Sequence, residues 1–288
     1  MTERLLIATD LDRTLIPNGP QPESPTARKR FARLASRDEV TLAYVSGRHI
    51  GLVRKAMYSF GLPQPDFIIG DVGTTIYQAR PGAEPVAIAE WEDEIARDWS
   101  GCDAMALHGL LSDLTDLRLQ EADKQNRCKL SYYLPLGADT SRLAKRIEKR
   151  LERAAVRTRL IFSIDEPRSI GLLDVLPERA SKRHALEYLM KLLGHVPANT
   201  VFCGDSGNDL EVLVSAIPGV LVANSDPTVQ EAAQRSSTER GLAHALYVAR
   251  GAFLDMNGNY AAGILEGIAH FHPSTVEWMT IPAGEETA

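Results

Sequence analysis

Two apolar runs in this chain each end in a cluster of carboxylates. Leu5-Leu6-Ile7-Ala8 leads into Thr9-Asp10-Leu11-Asp12-Arg13-Thr14-Leu15, and Thr200-Val201-Phe202-Cys203 leads into Gly204-Asp205-Ser206-Gly207-Asn208-Asp209. Short apolar runs of this kind read as strands buried on both faces. Each cluster then stands just beyond the C-terminal end of a strand, where open α/β sheets assemble their sites. If the two strands are neighbours, Asp10, Asp12, Asp205 and Asp209 converge in one crevice. Four carboxylates share a small volume cheaply only around a cation. Oxygen-only ligands, with room left for a phosphate, suit Mg²⁺.

Two further segments fit the same chemistry. Leu42-Ala43-Tyr44-Val45 runs into Ser46-Gly47-Arg48, and Ser181-Lys182 opens a helical stretch that continues to Leu193. A hydroxyl with nearby backbone N–H groups at Ser46, and a positive charge at Lys182, suit a phosphoryl group whose charge must be held during transfer.

Residues 4–77 alternate between strand-like and helix-like stretches, with helices expected over 26–36 and 50–60, which implies a parallel sheet with helices on its faces. Pro17, Gly19, Pro20, Pro22 and Pro25 mark the loop after the first strand. The pattern changes after Arg80-Pro81-Gly82-Ala83. Residues 84–176 read as a smaller α/β unit, with helices over 90–99 and 105–114 and strands over 129–134, 159–164 and 171–176. Leu143, Ile147 and Leu151 recur every four residues, as in an amphipathic helix. The first pattern resumes at Lys182, with helices over 210–216 and 227–233. The expected fold is α/β: a doubly wound, Rossmann-like parallel sheet over 1–80 and 178–273, with an inserted α/β cap over 81–177. Residues 274–288 are polar and poorly periodic and read as a loosely ordered tail.

The order DLDRTL, VSGR, Lys182, GDSGND resembles the haloacid dehalogenase-type phosphatases, and the likeness covers about residues 5–272. Within that superfamily, Asp71-Val72-Gly73-Thr74-Thr75-Ile76-Tyr77, Lys129-Leu130-Ser131-Tyr132-Tyr133, Asp174-Val175-Leu176-Pro177 and Gly263-Ile264-Leu265-Glu266-Gly267-Ile268-Ala269-His270-Phe271 are similar to the sucrose-phosphatase family. Arg13 and Leu15 stand where that family often has Asn and Trp, and Arg183 stands where Gly usually follows the lysine. The resemblance therefore bears more on the chemistry than on the substrate.

It implies Mg²⁺-dependent hydrolysis of a sugar or glycosyl phosphate through an aspartyl phosphate. Asp10 is expected as nucleophile, and Asp12 as the acid and then the base. The metal is expected on Asp10, Asp12 (through its backbone carbonyl), Asp205 and Asp209, the last either directly or through water. The plain reading of Asn208 and Asp209 is a cap for the helix that follows, which is compatible with metal binding. Ser46, Gly47, Lys182 and Asn208 are expected to hold phosphate. Arg48 is either a selectivity residue or an ion-pairing one. Gly73 and Thr74, with Lys129 and Ser131 in the cap, are the remaining candidates for selectivity. Strand alternation puts Lys129 and Ser131 on one face and Tyr132 on the other; the plain alternative is a packed cap strand.

Sucrose 6-phosphate leads as substrate, with mannosylfructose phosphate and a glycosylglycerate phosphate behind it. Rival readings are a sugar phosphotransferase or mutase of the same superfamily, and a silent sugar-phosphate binding module, which would be expected to lack Asp10 or Asp12.

Composition narrows the remaining classes. The net charge of −6 argues against a general nucleic-acid binder. The basic run Arg142, Lys145, Arg146, Lys149, Arg150, Arg153 reads as the solvated face of the helix carrying Leu143, Ile147 and Leu151. No run approaches membrane-spanning length, which also sets aside the ion-pump ATPases. Cys102, Cys128 and Cys203 are far apart, as suits reduced thiols in the cytoplasm. A first strand beginning by about Arg4 leaves no room for a leader. His108, His184, His195 and His244 lack metal-ligand spacing.

Overall fold

The computed structural model describes residues 4–165 and 168–281. Residues 1–3 of the expected core and 282–288 of the expected tail lie outside the described residues. The first stretch contains β1 (Leu5–Thr9), α1 (Ala27–Ala35), β2 (Val40–Val45), α2 (Ile50–Phe60), β3 (Phe67–Gly70), β4 (Thr75–Gln78) and β5 (Val86–Ala87). Then come α3 (Ala89–Ala96), α4 (Ala104–Leu111), β6 (Arg118–Leu119), β7 (Leu130–Leu134), α5 (Thr140–Arg153), β8 (Thr158–Asp165) and β9 (Ile170–Pro177). The last stretch holds α6 (Lys182–Leu193), β10 (Thr200–Gly204), α7 (Leu210–Leu213), β11 (Gly219–Leu221), α8 (Pro227–Glu239), β12 (Leu246–Val248), α9 (Ala261–Phe271) and α10 (Val276–Met279).

The larger sheet has the order β12-β11-β10-β1-β2-β3-β4-β5. Its members from β12 to β3 are parallel, and β4 and β5 are antiparallel additions. The chain extends from β1 toward β3 on one side and returns to β10 on the other, so the order reverses beside β1. Both faces of the sheet are covered, which explains the unbroken apolar runs. Leu5, Ile7, Leu42 and Val201 pack with Phe31 of α1 and Ile264, Leu265 and Ile268 of α9. Leu6, Ala8, Ala43 and Phe202 face the opposite way, against Ala185, Leu186 and Leu189 of α6. Each such Leu or Ile, fully buried, contributes about 1.5–3 kcal/mol against leaving it exposed.

The smaller sheet, β6-β7-β9-β8, is antiparallel throughout. One face carries Leu130, Tyr132, Leu134, Leu173 and Val175 against Leu107 and Leu111 of α4 and Leu143, Ile147 and Leu151 of α5. The residues of opposite parity look toward the larger sheet. The basic residues of α5 are mostly exposed, as its amphipathic spacing predicts.

Three expectations change. The larger sheet continues past the boundary expected at 80–83, because β5 pairs with β4 and α3 buries Trp91 and Ile95 against that sheet's core. The helix expected over 90–99 stops at Ala96, followed by a tighter turn at Arg97–Trp99. There Asp98, fully buried, accepts from Arg157 and from Arg179 N (2.9 Å) and Nε (3.1 Å). The segment from Ser274 is not loose over its described part: α10 docks on α1, Met279 and Ile281 are buried, and Arg30 Nη1 donates to Met279 O at 3.2 Å.

Candidate active site

Asp10 directly follows β1, and its N–H donates to Cys203 O of β10 at 2.9 Å, extending the ladder by one residue. Asp205 directly follows β10. Because β1 and β10 are adjacent, the two carboxylates meet at the point where the sheet order reverses. Ser46 follows β2, on the other side of β1, and is buried.

Asp209 returns to the same point from the turn after Asp205. Its Oδ2 accepts from Asp205 N (3.2 Å), Ser206 N (3.2 Å) and Ser206 Oγ (3.1 Å). The side chain thus reaches backward, and the capping of α7 expected of it does not occur. This fold-back needs Gly204, where a Cβ would sit 2.7 Å from the Asp209 carboxyl carbon. One oxygen from each of Asp10, Asp205 and Asp209 lies within 4.8 Å of the others. An all-oxygen, buried trio of this kind fits a hard divalent cation.

Lys182 is the first residue of α6, whose start is capped by Ser181 Oγ accepting from His184 N at 3.1 Å. Its buried Nζ donates to Asp10 Oδ1 at 3.0 Å and to Asp209 Oδ1 at 2.7 Å. Burial works against its charge, yet Asp10 and then Asp209 more than compensate and hold its pKa above the ordinary lysine value. Burial pushes the Asp10 carboxyl up to about 7; Lys182 opposes this, and Asp209 and Asp205 reinforce it. Burial, then Asp209, pushes Asp205 up to about 6 against the pull of Arg13 and Lys182. Three buried carboxylates face one ammonium here, an arrangement that a further positive charge would balance.

Asp12 stands apart from the trio. Its carboxylate takes a forked contact from Arg48 and another hydrogen bond from Asn18. These groups open onto a cavity of about 470 Å³ between the two sheets. Asp10, Asp12, Ser46, Gly47, Arg48, Lys182, Asp205 and Asn208 line its core side, and Lys129 lines it from the cap. Asp209 lies beneath, fully buried. Tyr132 packs in the cap core, and Ser131 is on the opposite face of β7, where its Oγ donates to Asp174 Oδ1 at 2.5 Å. Lys129 Nζ donates to Asp71 Oδ1 at 3.1 Å, a buried ion pair linking cap to core.

Gly73 and Thr74 do not line the cavity. Thr74 is buried, donating to Asp71 O and accepting from Asn126 Nδ2 at 3.0 Å, while Gly73 packs on Ser181 and Lys182. Val72 faces the cavity instead. Sequence reasoning also missed the wall formed by Gln120, Lys124, Ile161, Ser163, Leu172 and Asp174. A signal existed for Asp174, one carboxylate inside the apolar run Gly171-Leu172-Leu173-Asp174-Val175-Leu176. Arg13, whose Nε is 3.5 Å from Asp205 Oδ2, also borders the cavity.

A doubly wound sheet with a capped carboxylate crevice at its switch point defines a haloacid dehalogenase-type hydrolase. The chain belongs to the sucrose-6F-phosphate phosphohydrolase family, whose model matches residues 3–272. It is 49% identical to a Nitrosococcus oceani protein that carries the name HAD-like hydrolase, over 100% of this chain and 78% of that one. It is 28% identical to the mannosylfructose-phosphate phosphatase of Agrobacterium fabrum, over 92% and 96% of the two chains. It spans about three fifths of the length of the plant sucrose-phosphatases it matches. The sucrose-phosphatase of Synechocystis, solved with sucrose and phosphate, superposes with a TM-score of 0.69 at 27% identity, covering 93% of this chain and 98% of that one. The sucrose-phosphatases and the mannosylfructose-phosphate phosphatase among these relatives are phosphoric monoester hydrolases, and the family to which this chain belongs is of that class. Among the described residues, no helix is long and apolar enough to cross a membrane.

Proposed function

We propose that the protein is a Mg²⁺-dependent phosphatase of glycosyl phosphates, with sucrose 6-phosphate the leading substrate and mannosylfructose phosphate or a glycosylglycerate phosphate next. The observation that carries this reading is the shared cavity. Asp10, its partner Lys182 and the buried oxygen trio face it from the core, and a polar cap wall closes it on the other side. Phosphate chemistry and sugar recognition thereby have separate walls. We assign about residues 81–177 to the insertion that carries the cap, its first part, β5 and α3, being packed on the larger sheet, and a cytoplasmic setting suits the three free thiols.

Asp10 Oδ attacks phosphorus in line with the leaving oxygen, forming an aspartyl phosphate. Asp12 gives a proton to the leaving sugar oxygen and then takes one from the water that releases phosphate. Lys182 favours the ionised form of Asp10 against its burial and balances charge on the phosphoryl oxygens, with Ser46 Oγ and the N–H groups beside it as further donors. Asp10, Asp205 and Asp209 would hold Mg²⁺, which supplies charge stabilisation for the transferring phosphoryl group. The cap wall excludes bulk water while the covalent bond forms.

The test is release of free phosphate from a panel of phosphate esters with Mg²⁺ and no acceptor. Disaccharide phosphates should outperform hexose phosphates. A panel led by simple hexose phosphates overturns the substrate, and turnover only with an added sugar acceptor favours a phosphotransferase.

A further inference from the structure

Arg48 follows Ser46 and Gly47 at the end of β2, and its guanidinium is committed to Asp12. Nε donates to Asp12 Oδ2 at 2.7 Å and Nη2 to Asp12 Oδ1 at 2.5 Å. Two parallel N–H···O bonds fix the plane of a carboxylate, which a single ammonium cannot do. Asn18 adds a third donor, Nδ2 to Asp12 Oδ1 at 2.7 Å, while its Oδ1 accepts from Arg13 N at 2.8 Å. Oδ1 thus takes two donors and Oδ2 one, so Oδ2 keeps the freer lone pair.

Arg48 is itself anchored. Its N–H donates to Ser46 Oγ at 3.2 Å, and its carbonyl accepts from Asp71 N at 3.0 Å. Asp12, by contrast, has a side chain 39% exposed, on a turn where Arg13 has a positive φ of 57°. Left alone, such a carboxylate would sample several rotamers. A proton carrier must stay within hydrogen-bond reach of the leaving oxygen and then of the incoming water.

We infer that Arg48 is a positioning residue for proton transfer: its fork holds Asp12 so that Oδ2 faces the reacting oxygens, and Arg48 does not recognise the sugar. The inference rests on the role proposed above for Asp12. In the first step the Asp10 Oδ–P bond forms as the bond from phosphorus to the leaving oxygen breaks, and the Asp12 Oδ2 proton moves to that oxygen. In the second, the water O–P bond forms as the Asp10 Oδ–P bond breaks, and a water proton returns to Oδ2.

The test uses the full chain with Mg²⁺ and two esters, a simple alkyl phosphate and p-nitrophenyl phosphate, whose leaving group needs no proton. Arg48→Ala should lower kcat on the alkyl ester roughly hundredfold while leaving KM and the nitrophenolate burst rate within about threefold. Arg48→Lys keeps the charge but lacks the fork, and should recover less than about tenfold of that loss; it also carries the test if Arg48→Ala does not fold. The double variant Arg48→Ala, Asp12→Asn should be no slower than Asp12→Asn alone. A raised KM on sugar phosphates with kcat unchanged overturns the inference, as do equal losses in leaving-group release from both esters or losses that add to those of Asp12→Asn. If Asp12→Asn itself slows leaving-group release from both esters equally, the proton-carrier reading of Asp12 fails, and the inference falls with it. If Asp12→Asn discriminates between the esters and neither Arg48 variant does, only the inference fails.

Discussion

Lys182 Nζ lies 3.0 Å from Asp10 Oδ1, with both side chains buried. The same ammonium is 2.7 Å from Asp209 Oδ1, so it is the internal counter-charge of the carboxylate trio. Lys182→Met should therefore abolish turnover and, with chelator present, cost about 3 kcal/mol of stability, the scale for breaking a buried pair by removing one partner. Added Mg²⁺ should restore part of that loss. Urea unfolding with and without Mg²⁺ measures both, and an unchanged midpoint in chelator would count against the pairing.

The Asp10 and Asp205 carboxyls, raised to about 7 and about 6, link folding to pH and metal. Without metal, the folded protein holds protons on these groups that the unfolded chain has released above its ordinary carboxylate pKa. Stability from this cluster is thus present at low pH and falls as pH rises toward 7. Mg²⁺ competes with those protons, so its stabilising effect should be small at pH 5 and large at pH 8. Thermal melts in Mg²⁺ and in chelator at the two pH values decide it; a larger metal-induced rise in Tm at pH 5 has the wrong sign.

Lys129, which borders the cavity, joins the cap to Asp71 in a buried pair. Lys129→Ala should raise KM for a disaccharide phosphate about tenfold, roughly 1.5 kcal/mol for a charge-assisted hydrogen bond. The KM of a small aryl phosphate should barely move. Parallel increases on both substrates would show that the lysine only holds the cap in place.

Gly73→Ala should damage both folding and catalysis. The backbone φ at Gly73 is +92°, and a Cβ there would lie 2.5 Å from Ser181 C and O and 2.8 Å from Lys182 N. Those are backbone atoms, which cannot rotate aside, so the start of α6 must move and carry Lys182 away from Asp10. A loss of roughly 2–3 kcal/mol is expected from the overpacking and the left-handed backbone together. Calorimetry and kcat should fall together; a normal kcat would mean that α6 tolerates the shift.

Most of the core crevice was legible because its determinants are local. An apolar run that ends in Asp10 or Asp205 is a strand wherever both its faces are covered, and the residue after it must emerge at the sheet's C-terminal edge. The loop after β3 was less legible. Asp71, Val72 and Gly73 have φ of 50°, 60° and 92°, and three left-handed residues in a row turn Val72 toward the cavity and bury Thr74. No alternation rule carries across such a turn, and a β-branched residue at positive φ is not a position that propensity would select. The same limit applies at the end of the chain, where Met279 and Ile281 are too few to make a period but are both buried, Met279 by α1, about 250 residues earlier.

By itself the sequence determined which strands end in carboxylates, which lysine opens α6 and which face of α5 is dry, because each follows from spacing along one element. The tertiary structure alone decided that Lys182 lies between Asp10 and Asp209, that Arg48 clamps Asp12, and that Lys129 pairs with Asp71. These partners come from separate strands, turns and sheets. Their distances depend on how two sheets pack, a sum of many weak contacts that no local pattern records.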